Sequence, residues 1–252
     1  MMHHKAAESV ALDVYQVQNA ISENRILTAV QGVHSVQDVD TILYGECLAR
    51  LMDLSGTIRG AGEFIPILEV KRRTQVLDMH MLKLVLDELE VDPLAVLGCN
   101  LSADSLRSKV RWNAIYKQIL SRYHLAERLV LEITETRPLC DIQVVNDRIA
   151  MVRNLGCRIA IDDFGSGLLT PSQLLKLDVD IVKIDAAFVY QIKRNLTDIN
   201  SLQHIIGMAK CCAPTVVVEG VETEENFLDV SIAGATHMQG FYLSRPALLE
   251  RS

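Results

Sequence analysis

The chain has 252 residues, with 25 Lys+Arg against 32 Asp+Glu, a formal charge of −7 and 49% hydrophobic residues. That composition excludes wholesale disorder, and the acidic balance argues against gripping DNA or RNA through a broad basic surface. The mean hydropathy is slightly apolar, +0.19, yet no run approaches the ~18 uninterrupted apolar residues of a spanning helix.

The opening residues lack the apolar stretch of a signal peptide, and residues 1–22 read as a helical extension ahead of a domain over 23–252. Apolar runs then alternate with amphipathic stretches. Strands are expected at Ile26–Val30, Ile42–Leu48, Leu94–Cys99, Leu129–Ile133, Arg158–Ile161, Ile181–Ile184, Thr215–Val218 and Ala235–Met238. Several are almost continuously apolar, as parallel strands buried on both faces are. Helices are expected at Thr74–Glu90, Asn113–Tyr123, Ile142–Asn154, Leu202–Cys211 and Glu224–Ala233. The fourth intervening tract shows the logic: Ile142, Val145, Ile149 and Val152 recur at helical spacing and the tract stops at Gly156, the residue type favoured past a helix end.

Strands alternating with helices mean βαβ units. Eight strand candidates over this length suggest a closed (β/α)8 barrel, typically about 250 residues. The first two candidates are separated only by the polar link Ser35–Asp40. That leaves no room for a crossover helix and points to an antiparallel pair. The six cysteines, Cys47, Cys99, Cys140, Cys157, Cys211 and Cys212, form no C-x-x-C spacing, so free thiols in a reducing cytoplasm are expected.

The residues that follow the apolar runs carry the chemistry. Glu46 lies inside the second run, Asn100 follows the third, Glu132 and Glu135 end the fourth, and Asp162 and Asp163 end the fifth. Lys183, Glu219 and Gln239 close the remaining three. In an α/β barrel the carboxyl ends of the strands converge on one face, where reacting groups sit. Any single acid there is more often a helix cap or a solvated loop residue; the repetition across strands is what points to a site. Clustered carboxylates raise one another's pKa unless cations neutralise them, and Lys183 supplies one positive charge. Oxygen ligands without histidine or cysteine favour Mg²⁺ or Mn²⁺, and adjacent Asp162 and Asp163 suit a pair of ions. The residues alone thus lead to metal-assisted hydrolysis of a phosphate ester. No phosphate-binding loop or nucleophile elbow competes. His34, His80, His124, His204 and His237 read as surface or packing residues.

The motifs also stand in a familiar order: Glu46-Cys47-Leu48-Ala49-Arg50, Phe64–Glu69 (FIPILE), Asn100–Ser102, Glu132–Glu135 (EITE), Asp162–Gly167 (DDFGSG), Lys183–Asp185, Glu219–Thr223 (EGVET) and Gln239–Pro246. In this the chain resembles the EAL domain family of cyclic di-GMP phosphodiesterases, from about Glu23 to Pro246. The resemblance implies a TIM-like barrel with one antiparallel strand near its start, and hydrolysis of cyclic di-GMP to linear pGpG. It implies metal ligation by Glu46, Asn100, Glu132 and Asp162, with Asp163 and Glu219 serving a second ion. Lys183 matches the lysine that contacts the nucleophilic water and Glu219 a proposed general base. Glu135 matches a glutamate that orders the loop after DDFG. Gln31, Leu48, Arg50, Glu222 and Gln239, together with Asp163, match substrate-lining positions, and a homodimer is the family expectation.

The chain departs from the family pattern at Leu168-Leu169-Thr170-Pro171, where Y-S-S-L is usual, and at Gln31-Gly32-Val33, where Q-P-I is usual. Leu51 replaces a common tryptophan, and Ala186-Ala187 a more polar pair. The loop after DDFG couples metal binding to the dimer interface in the family. Two readings follow: an active phosphodiesterase, supported by the complete ligand set, or a receptor that binds the nucleotide and signals through the altered loop.

Overall fold

In a computed structural model, residues 12–134, 141–190 and 199–249 are described. Helix α1 (Val14–Ser22) opens on a capping box in which Asp13 and Gln16 satisfy each other's backbone N–H groups. It buries Val17, Ala20 and Ile21 in the main core. Strands β1 (Ile26–Ser35), β2 (Ile42–Met52) and β3 (Ile58–Gly60) follow, then helices α2 (Ala61–Val70) and α3 (Thr74–Val91). Next come β4 (Leu97–Ser102), α4 (Ala103–Arg107), α5 (Lys109–Leu120), a 3-10 turn (Tyr123–Arg128), β5 (Leu129–Thr134), α6 (Ile142–Arg153) and β6 (Arg158–Phe164). The chain continues through α7 (Pro171–Leu174), β7 (Ile181–Ile184), α8 (Ala187–Tyr190) and α9 (Ile199–Lys210). It finishes with β8 (Thr215–Val218), α10 (Glu224–Ala233), β9 (His237–Met238) and β10 (Ala247–Leu248).

The strand order β1-β9-β8-β7-β6-β5-β4-β2, closed by a β1–β2 pairing, makes an eight-stranded barrel. Strand β1 runs antiparallel to both neighbours, and the other barrel pairs are parallel. The short Ser35–Asp40 link therefore does what its length predicts. Short β3 and β10 add to the outer edges of β2 and β1.

Period-two alternation sorts the side chains. On β5, Leu129, Leu131 and Ile133 join the layer packed under the helices, while Val130 and Glu132 point into the barrel. Val130 meets Val33, Tyr44, Ala160, Ile181 and Val217 in a separate apolar cluster inside the barrel. Two residues further on, the same strands carry Glu46, Glu132, Asp162, Lys183 and Glu219; on the reversed β1 the corresponding step is from Val33 back to Gln31. The polar layer thus stands directly on an apolar one.

Several elements differ from expectation, and three of the differences have local reasons. Strand β4 begins at Leu97 because Asp92 accepts from the N–H groups of Leu94 and Ala95, holding that stretch in a turn with Leu94 exposed. Helix α5 begins four residues early because Ser108 caps it through the N–H of Arg111. Helix α2 holds Pro66 in its interior, which breaks the pattern by which a helix is recognised. Among the described residues no helix is long and apolar enough to cross a membrane.

Candidate functional site

Lys183, fully buried on β7, is the hub of the polar layer. Its Nζ lies 3.1 Å from Glu46 Oε2, 2.8 Å from Glu132 Oε2, 2.8 Å from Asp162 Oδ1 and 2.9 Å from Glu219 Oε1. Asn100 Nδ2 donates to Glu46 Oε1 at 2.8 Å, and Gln239 Nε2 donates to Glu46 Oε2 at 2.7 Å. Gln239 also approaches Gln31 Oε1 at 3.2 Å, and Gln31 donates to the Ser244 carbonyl at 2.9 Å, tying the loop after β9 to β1.

Asp163 reaches this cluster through a distortion. Adjacent strand residues face opposite sides, but the β6–β7 register slips between Ile161 and Phe164, and Asp163 has φ +55°. Left-handed backbone is unfavourable for a residue with a Cβ and is best tolerated by Asn and Asp. The slip brings neighbouring carboxylates together: oxygens of Asp162, Asp163 and Glu219 all lie within 4.8 Å of one another.

The electrostatics follow from burial. Burial alone would lower Lys183, but Asp162, Glu132, Glu219 and Glu46 hold its ammonium well above the ordinary value. Burial would raise Glu46, yet Lys183 and the hydrogen bonds from Asn100 and Gln239 keep it below its usual value. The remaining carboxylates go up. Burial, with repulsion from Glu46 and Asp162, pushes Glu132 to about 8 against the pull of Lys183. Burial and neighbouring Asp162 raise Asp163 to about 7, and burial lifts Glu219 well above its ordinary value. One ammonium does not balance five carboxylates, which is the condition under which carboxylates protonate or take up cations. Glu132 Oε1, Asn100 Oδ1 and Gln239 Oε1 are buried acceptors without a hydrogen-bond partner. Such atoms are costly unless something meets them, and a hard cation accepts this all-oxygen donor set. The residues present therefore fit divalent metal.

Two cavities of about 230 and 320 Å³ meet at Glu46, Leu48, Asp162 and Asp163. Together they fall in the roughly 300–1,000 Å³ range of small-molecule sites. The first runs between β2, α2 and α3 and is lined by Ile65, Leu77, Asp78 and Met81 among others. Burial raises Asp78 to about 6, although Ser102 and Ser105 donate to it. The second is lined by Gln31, Tyr190, Glu219, Glu222, Gln239 and Phe241 among others. Arg50 stands apart: it shares the inward face of β2 with Glu46 and Leu48, bonds the Ala49 carbonyl at 3.0 Å, and lines neither cavity. Glu135 lies outside the described residues. The sequence reading missed Tyr44, Asp78, Tyr190 and Phe241. For Tyr44 the signal was available, because residue 44 shares strand parity with Glu46; Asp78 and Tyr190 lie on helices whose rotation only packing sets.

The rewritten loop has its own local logic. Thr170 caps α7 by accepting from Gln173 N–H, Gln173 Oε1 accepts from Thr170 N–H in return, and Pro171 takes the first helical position. Leu169 is buried in the core and Leu168 is exposed. His34, expected as a surface or packing residue, is buried and bonds the Val39 carbonyl and Ser244 Oγ.

A parallel barrel closed by one reversed strand, with acids and one lysine gathered at the carboxyl ends of its strands, defines a barrel protein with an acidic mouth that fits divalent metal. Comparison with known proteins places it more closely: the EAL domain family model matches residues 15–246, and the chain belongs to that family. It is 28% identical over 92% of its length to the cyclic di-GMP phosphodiesterase PdeF of Escherichia coli (strain K12), and 29% identical over 91% to the probable cyclic di-GMP phosphodiesterase PdeA of the same organism. The chain spans about a third of the length of these relatives, 31% and 32%. Its fold is similar to that of an EAL domain protein from Listeria monocytogenes EGD-e, with a TM-score of 0.81, 22% identity and 94% of each chain covered. It is also similar to the EAL domain of FimX from Pseudomonas aeruginosa bound to c-di-GMP, with a TM-score of 0.76, 23% identity, and 93% and 96% of the two chains covered.

Proposed function

We propose that the barrel, residues 23–252, hydrolyses one phosphodiester bond of cyclic di-GMP to give linear pGpG, in the cytoplasm and with Mg²⁺ or Mn²⁺. The observation that carries this reading is the gathering of five carboxylates around Lys183, with buried acceptor oxygens left unpartnered beside them. The naming of PdeF as a cyclic di-GMP phosphodiesterase, and of PdeA as a probable one, supports the substrate.

Glu46, Asn100, Glu132 and Asp162 would hold one ion, and Asp163 and Glu219 with Asp162 a second. A pair of such ions binds a phosphodiester and lowers the pKa of a water at neutral pH. Lys183, immobile and charged, directs a water toward phosphorus. Glu219, at the open end of the cluster, takes the proton of that water as the new P–O bond forms. The bond to the 3′ oxygen breaks, that oxygen leaves with a proton from solvent, and the phosphate stays on the 5′ side, which is pGpG. Gln31, Glu222 and Gln239 line the second cavity and Leu48 lines both; these residues are assigned to binding the dinucleotide. Arg50 is assigned the phosphate, which its planar fork suits.

The test is incubation with cyclic di-GMP and Mn²⁺ followed by chromatography, wild type beside Glu46→Gln and Glu219→Gln. Product from wild type alone is expected; equal product from both variants refutes the assignments. The receptor reading draws on the exchanged Leu168–Pro171 loop, and saturable binding without pGpG over hours would establish it instead. The family resemblance also implies a homodimer, which light scattering of the purified chain tests.

A further inference from the structure

Tyr44 lies on β2 two residues before Glu46, so its ring enters the barrel directly beneath the acids; it is 1% exposed. Its O–H donates to Glu132 Oε2 at 3.0 Å, the same oxygen that Lys183 Nζ approaches at 2.8 Å. One oxygen of that carboxylate is therefore engaged twice. The other, Oε1, is buried and has no hydrogen-bond partner.

Across from Tyr44, β4 carries Gly98, in register with both Glu46 and Val130. A Cβ at that position would stand 2.2 Å from Glu132 Oε1 and 2.7 Å from Tyr44 Cε2. Glycine weakens a strand interior, and one placed there marks a close approach by another group. Here the approaching groups are the tyrosine ring and the free carboxylate oxygen.

We propose that Tyr44 is a positioning residue: its ring fills the space that Gly98 leaves, and its hydroxyl anchors Glu132 Oε2 so that Oε1 is presented in one orientation to a divalent ion. The inference rests on the reading of Glu132 as a ligand. Partners of this kind orient ligands, and their loss typically costs about 10–100-fold in metal affinity.

Tyr44→Phe removes the hydroxyl and keeps the ring. Calorimetric titration of the metal-free chain with Mn²⁺ should show affinity about tenfold weaker than wild type. The thermal midpoint without metal should stay close to wild type, and kcat should recover at saturating Mn²⁺, which a collapsed barrel would not permit. Gly98→Ala places a methyl against Oε1 and should weaken Mn²⁺ binding further. If wild type binds Mn²⁺ and Tyr44→Phe binds it equally well, the anchoring role is overturned. Unchanged affinity in Gly98→Ala overturns the assignment of Oε1. Absence of Mn²⁺ binding by wild type overturns the ligand reading itself, and this inference with it.

Discussion

Two layers of side chains fill the barrel, carried by the same strands and separated by two residues, about 6.6 Å of strand. The lower one, Val33, Tyr44, Val130, Ala160, Ile181 and Val217, is apolar apart from the Tyr44 hydroxyl. The upper one holds Gln31, Glu46, Glu132, Asp162, Lys183 and Glu219. Backbone geometry and much of the burial are shared, so their energetics differ through side-chain chemistry. The lower layer gains from leaving water. The upper layer loses hydration that one ammonium cannot replace, the condition under which carboxylates hold protons or take up cations.

The strongest way to break that contrast is to remove the hub. Under the proposed function, Lys183→Met should abolish hydrolysis, and it leaves the carboxylates of Glu46, Glu132, Asp162 and Glu219 without their ammonium. Loss of one partner in a buried ion pair typically costs about 3–5 kcal/mol. Urea unfolding without metal should show the loss, and added Mn²⁺ should recover part of it if cations substitute for the charge. Next, under the proposed two-ion reading, Asp162→Asn should lower turnover strongly, because it takes a ligand from both ions. Val130→Ala, one layer below and one strand away, should cost about 2 kcal/mol of stability while kcat at saturating Mn²⁺ stays within a fewfold. Equal losses of kcat would erase the distinction between the layers.

Acidity sharpens the comparison at smaller magnitude. Glu132 and Asp163 sit at about 8 and about 7 in the folded chain, against about 4 when unfolded. The folded state therefore binds more protons between those values, and its stability falls as pH rises through them. The metal-free chain should melt lower at pH 8.5 than at pH 6. Stabilisation by Mn²⁺ should be larger at the higher pH, where no proton need be displaced. Asp78, raised to about 6 in the lining of the first cavity, adds a separate decline between pH 4 and 6 that Mn²⁺ should leave in place. The smallest effect expected is at the loop. Thr170→Ala removes the cap of α7 and should cost about 1 kcal/mol, seen as a fall in melting temperature with the metal affinity of the barrel unchanged.

Much of this molecule was legible along the chain. Val130 to Ile133 and Val216 to Val218 could only be buried strands, and the acids ending such runs announced a common mouth because parallel strands in a barrel all end on one side. Tyr44 illustrates the limit. Strand parity puts its ring on the face that carries Glu46, but nothing local says that its hydroxyl meets Glu132, 88 positions away. Helix α2 escaped for a different reason, since Pro66 masks its periodicity and packing against neighbouring elements overrides that cost.

Order, strand identity and the choice of oxygen-bearing side chains came from the amino-acid sequence, because hydrophobic alternation and turn residues act over a few neighbouring positions. The left-handed turn at Asp163, the four contacts of Lys183 and the opposition of Gly98 to Glu132 were decided only when the barrel closed. Those features depend on the register and stagger between strands far apart in the chain, which no local pattern encodes.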